Sequence, residues 1–263
     1  MIEAKSQAHY AAQWLARYGR SYLVPQKDDS HTAMLWNQSA KMFLSLSSRQ
    51  GALAFDIPTL TLFWLDPRGS MGTGFSLDGK TDKEGEGLLR AMLGEVGLNP
   101  AALKTELPYE MKGHEIGSGG VYEIKGNEKG LRLLADLFHQ ASGILEGVKK
   151  REMGASQVRC WPHHFDIATL MSLDREKDPE KAKSIGVGFS PGDQTYQEPY
   201  YYITPWPYPD TSDLLADPEL FDWHTEGFIA AVIPQSMWPE DNLENFLKSG
   251  LIEAISACQV LLK

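Results

Sequence analysis

The sequence predicts an α+β fold built as two similar helix–antiparallel sheet–helix halves. Three observations lead there. Amphipathic helical stretches open and close the chain, short strand-like runs separated by Gly and Pro turns lie between them, and two blocks recur in order. The blocks are FDIPTL (55–60) with GTGFS (72–76), and FDIATL (165–170) with GVGFS (186–190). Each lies after a helical stretch and before another, the pattern of a duplicated α–β–α unit. With 263 residues, 42% of them apolar and 10% aromatic, the chain can fill one large core or two smaller ones.

The elements follow in chain order. Residues 4–18 form an amphipathic helix ended by Gly19, and Asp29 or Ser30 then caps a second helix over 31–47, with Leu35, Met42, Phe43 and Leu46 near one face. Strands follow at ALAFDI, at 59–65 and at 73–77, with turns at Pro67, Gly69, Gly72 and Gly79. A helix spans about 84–96 and stops at Gly97, with Pro100 beyond. The stretch 105–127 holds five glycines and no helical period. It reads as a seam between a half at 1–104 and a half at 128–263, and as the first place a protease would cut. The second half reads as a helix at 128–149, strands at 157–161, 164–173, 184–190, 199–204 and 226–233, and a closing helix at 241–262.

Composition excludes several classes of function. A formal charge of −10 without a basic block argues against nucleic acid and against an anionic membrane surface. Cys160 and Cys258 form no disulfide framework and lack zinc-knuckle spacing. The first residues contain no apolar signal core, and no run of 18 apolar residues occurs, so the expected location is the cytoplasm. Oligomeric state is not legible.

Chemistry-bearing residues gather in the second half. In WPHHFDIATL, strand alternation places His163 in an aromatic row, as a hydrogen-bonded core histidine, and His164 beside Asp166 on the other face. In WHTEGFIAAVIP, the same rule puts His224 and Glu226 on one face. If these strands approach, His164, Asp166, His224 and Glu226 form an acid–base pocket, and His164, His224 and Glu226 are candidate ligands for a divalent metal. SPGDQTYQEPYYYITPWPYPDTSD (190–213) interleaves five prolines with tyrosines and tryptophan. It reads as an edge strand or polyproline-like arm. Tyr200, Tyr202 and Trp206 would supply an aromatic wall for a small ligand, with Asp193 and Glu198 adding charge. Ser76 and Ser190 lack a nucleophile elbow.

HFDIATL, GFSPGD, EPYYYITPWPYP, EGFIAAVIP and a C-terminal helix occur here in that order, after LWNQSAKMFLSL in the first half. In this the chain resembles an uncharacterised bacterial family of unknown function, over about 31–262. The resemblance implies these boundaries and no activity. Three functional expectations follow. The first is a small-molecule-binding protein, or an enzyme, with a His/Tyr/carboxylate pocket in the C-terminal half. The second is a metal-dependent hydrolase or oxygenase using His164, His224 and carboxylates. The third is an interaction module that docks through the Tyr/Pro-rich arm.

Overall fold

Alanines at 4, 8, 11, 12 and 16, with Trp14 and Leu15, give the first helix a buried face of small side chains. In the computed structural model, which describes residues 1–263 except Lys112, Lys177, Pro179, Glu180 and Asp217, this helix is α1 (Ile2–Tyr22). It runs through Gly19. A Cβ there would stand 2.3 Å from the carbonyl oxygen of His31, so this glycine allows a backbone to pass close by rather than ending the helix.

The expected helix over 31–47 is instead a 3₁₀ turn at Ser30–Thr32 and a hairpin of β1 (Met34–Asn37) and β2 (Met42–Ser45). Asn37 Oδ1 accepts the N–H groups of Ser39 and Ala40, and Lys41 takes a left-handed φ of 54°. This turn chemistry, with alternating burial in both strands, wins over the helical spacing. The meander continues through β3 (Ala52–Asp56), β4 (Thr61–Leu65) and β5 (Met71–Ser76) into α2 (Asp82–Glu95). Thr81 and Glu84 close a reciprocal capping box at the start of α2.

The chain divides into two compact units that do not part at 105–127. Unit 1 comprises Met1–His139 and Arg159–Phe165, and unit 2 comprises Gln140–Val158 and Asp166–Lys263. The glycine-rich stretch belongs to unit 1 and is anchored there: Ile116 and Tyr122 are buried, and Tyr122 donates to Asp82 Oδ1 at 2.7 Å. Its polar residues lie along α1, Tyr109 on Gln13 and His114 on Glu3. The division falls inside α3 (Glu128–Arg151), just before β6 (Arg159–Trp161), and between Phe165 and Asp166.

In unit 1 the strand order is β6-β1-β2-β3-β4-β5, antiparallel throughout, with Met34 opposite Cys160. Trp36, Phe43, Phe138 and Phe165 pack ring to ring at 4.8–6.1 Å. Aromatic burial of this kind contributes more than its area alone.

Unit 2 orders β7 (Asp166–Ser172), β8 (Ser184–Ser190), β9 (Tyr200–Trp206), β10 (Asp222–His224) and β11 (Ala230–Pro234) as β10-β11-β9-β8-β7, again antiparallel. Helix α4 (Leu243–Leu261) buries Leu247, Leu251, Ala254, Ile255 and Cys258. It comes so close to the sheet that a Cβ on Gly250 would lie 2.8 Å from Ile233 Cδ1. The Tyr/Pro-rich arm is therefore not an edge. Its core, β9, is central, and Pro205 is tolerated because β11 pairs only with Tyr200–Ile203, leaving the far side of Pro205 unpaired.

The fold class is α+β, as the sequence predicts. The repeated letters do not fall at equivalent places: FD closes β3 at 55–56, whereas Asp166 opens β7 after Phe165. Asp56 accepts from Thr59 and Asp166 from Tyr202. Among the described residues no helix is long and apolar enough to cross a membrane.

Candidate functional site

The WPHHF segment is held from below by α1. Beyond β6 the chain turns at 162–165, closed by Phe165 N–H on Trp161 O at 2.8 Å, with Phe165 at φ 57°. The Pro162 carbonyl accepts from His9 Nε2 at 2.7 Å and from Gln13 Nε2 at 2.8 Å. A carbonyl only accepts, so His9 carries its proton on Nε2. Its ring stacks on Phe165 at 4.9 Å, nearly parallel.

This turn throws His163 and His164 outward, their rings 4.2 Å apart and both exposed. The core position expected for His163 is corrected accordingly. The row shared by His164 and Asp166 is lost as well, because strand alternation begins only at Asp166, after a left-handed residue. Partial burial, then the neighbouring His164, lower the pKa of His163, while Asp29 opposes the shift.

His163 and Trp161 open onto a cavity of about 380 Å³ within unit 1. Its wall takes Arg20 from α1, Asp28, Asp29 and His31 from the turn after it, and Tyr109 from the glycine-rich stretch. His31 is 6% exposed, and its Nδ1 accepts the Gln26 N–H at 3.2 Å, so the neutral ring holds a donor at Nε2. Asp28 accepts from Ser30 N at 3.1 Å. Its pKa is lowered chiefly by Ser30, against the effect of burial, with Arg159 contributing. Tyr109 donates to Gln13 Oε1 at 2.6 Å and presents its ring, and burial raises its pKa. The sequence alone did not single out Arg20, Asp28, Asp29, His31 or Tyr109 as site residues. The one signal there is turn chemistry at DDSH, which in sequence reads as a helix cap.

In unit 2, Tyr200 and Tyr202 share one sheet face, and their hydroxyls are bonded within the unit. Asp166, Ser190, Tyr200, Tyr202, Val232 and Asp222 fall on the sheet face opposite the one Ile233 turns to α4, by the registers of the five strands. Tyr202 lies flat over Gly188, where a Cβ would meet its ring at 2.3 Å, and its hydroxyl donates to Asp166 Oδ2. Tyr200 donates to Asp193 Oδ2 at 2.5 Å; burial and that carboxylate raise its pKa. Tyr196 and His224 Nδ1 bond at 3.1 Å, and His224 Nε2 donates to the backbone oxygen of Glu226 at 2.8 Å. Ring contacts at 4.2–6.1 Å join Phe228, His224, Tyr196, Tyr200 and Tyr202 into one cluster.

Several expected members stand elsewhere. The strand expected over 226–233 begins only at Ala230, as β11, and the preceding strand β10 already ends at His224, the two joined by a turn with Gly227 at φ 85°. Hence Glu226 offers His224 its carbonyl, and the pair shares no strand face. Glu198 accepts from Ser236 instead of facing the tyrosines, and Trp206 packs edge-on to Tyr208 at 5.1 Å. Among the described residues no group of three or more His, Cys, Asp or Glu side chains is placed to hold a metal. His164 and His224, the expected metal pair, belong to different units. Comparison with protein-family models, curated proteins and solved structures finds no match.

Proposed function

We propose that this chain binds a small molecule, and that the ligand sits in the unit 1 cavity beside Trp161 and His163. The observation that carries the reading is the make-up of its wall. Within one concavity of about 380 Å³ stand a guanidinium, two carboxylates, two imidazoles and two larger aromatic rings. Ala16, Leu107 and Pro108 add apolar wall between these polar groups, and the volume lies in the usual range of ligand sites. The C-terminal tyrosine cluster supports ligand binding less well, since Tyr200, Tyr202 and Tyr196 each have a hydroxyl engaged within unit 2.

Binding to the native state raises stability by mass action, by about 2.7 kcal/mol at a hundredfold excess over Kd. Thermal melts of the whole chain against a panel of metabolites therefore provide the test. A stabilising compound should lose its effect in Ala16→Leu, which fills the cavity from α1, and in Trp161→Ala. It should keep its effect in Tyr202→Phe. Loss in Tyr202→Phe alone would move the site to unit 2 and overturn this assignment.

A further inference from the structure

Resting on that reading, we propose that the ligand is an amino-acid-type zwitterion with a flat aromatic body. Its carboxylate would meet Arg20, its ammonium Asp29, and its ring Trp161 and Tyr109. Arg20 and Asp29 present opposite charges to the cavity, and Asp28 adds a second carboxylate to its wall. Arg20 gives one N–H of its fork to the carbonyl of Glu106 and forms no ion pair among the described residues. Asp29 sits at φ 55°, where its side chain makes no capping hydrogen bond. The adjacent Asp28 differs, since its carboxylate is engaged by Ser30 and lies in the field of Arg159. Asp29 lines the same cavity as Tyr109, Trp161 and His163, which places it beside the aromatic wall.

Charge arithmetic decides among ligand classes. A phosphate or dicarboxylate would gain Arg20 and the His31 Nε2 donor but face two carboxylates of its own sign. A simple amine would leave Arg20 without an anion. A molecule carrying one charge of each sign satisfies both and lets His31 donate a second hydrogen bond to its carboxylate. Because the Tyr109 hydroxyl is taken by Gln13, that residue offers a ring face. The body between the charges should accordingly be flat and apolar.

Isothermal titration of the whole chain with L-phenylalanine and L-tryptophan tests this against three analogues. N-acetyl-L-phenylalanine lacks the ammonium, L-phenylalaninamide lacks the carboxylate, and L-alanine lacks the ring. Each analogue should bind at least tenfold more weakly than its parent. Asp29→Asn should remove the penalty for acetylation and Arg20→Met the penalty for amidation, while Arg20→Lys restores most of the latter; circular dichroism checks that each variant is folded. Should the blocked analogues bind as well as L-phenylalanine, with Ala16→Leu still abolishing binding, the zwitterion is wrong and the cavity stands. Binding of a purely anionic or neutral compound in place of the amino acids has the same meaning. If neither these probes nor any panel compound responds to Ala16→Leu, both the ligand class and the cavity assignment fail.

Discussion

Tyr201 and Tyr202 are sequence neighbours on opposite faces of β9. The Tyr201 ring packs between Phe189 and Trp238, and its buried hydroxyl has no hydrogen-bond partner among the described residues. Desolvating a hydroxyl without replacing its water costs about 1–3 kcal/mol. Tyr201→Phe should therefore leave stability unchanged or raise it by about 1 kcal/mol, as urea denaturation would show. Tyr202→Phe removes the donor to the Asp166 carboxylate and should lower stability by about 1–2 kcal/mol in the same assay. His9 sets a pH dependence. Its pKa is lowered to about 4, burial outweighing the bond to Pro162, with Lys5 and the two outer histidines adding repulsion. Unfolded, it titrates near 6.5. Between those values the unfolded chain binds a proton that the native state refuses, so stability falls as pH drops from about 6.5 towards 4. The loss is at most about 3 kcal/mol, and less to the extent that the ring is hydrated. Denaturation at pH 7 and pH 4.5 should show this slope in the native chain and a shallower one in His9→Gln.

Glycines show how the elements depend on close approach. Gly188→Ala puts a methyl where the Tyr202 ring lies, displacing the ring from Asp166 at a cost of about 1–3 kcal/mol. Gly147→Ala, inside α3 with no atom within 4 Å of the added carbon, should stabilise by about 0.5–1 kcal/mol. Opposite shifts of the melting midpoint are the expected result. Thr81→Ala opens the capping box of α2 and should cost about 1 kcal/mol in the same melts. What the sequence discloses at this scale follows from regularity. Alternation divides Tyr200 and Tyr202 from Tyr201 correctly because β9 is unbroken. It fails for His164 with Asp166 and for His224 with Glu226 because each pair straddles a strand end with a left-handed residue nearby, Phe165 or Gly227. Helical period fails at 31–47 because turn geometry at Asn37–Lys41 is more local than any spacing. The cavity was hidden for another reason. Arg20, Asp29, Tyr109 and His163 come from four separate segments, and no periodicity in a chain encodes their meeting.

At the scale of the whole molecule, the units are discontinuous in sequence. Unit 1 takes its outermost strand, β6, from beyond α3, and takes Leu131, Leu134 and Phe138 from the first part of α3. A fragment of residues 1–127 lacks all of these and should show no cooperative calorimetric transition, whereas residues 1–165 should show one. A sharp transition in the shorter fragment would mean that β6 is dispensable to the unit. The pairing of Met34 with Cys160 also has a consequence for synthesis. At roughly 5–20 residues per second, a ribosome takes on the order of ten seconds to travel from one partner to the other. Throughout that interval the outer edge of MLWN is an unpaired, largely apolar strand, the kind of edge that recruits foreign strands. The nascent chain thus depends on shielding by a chaperone until the WPHHF turn emerges and lays β6 against it.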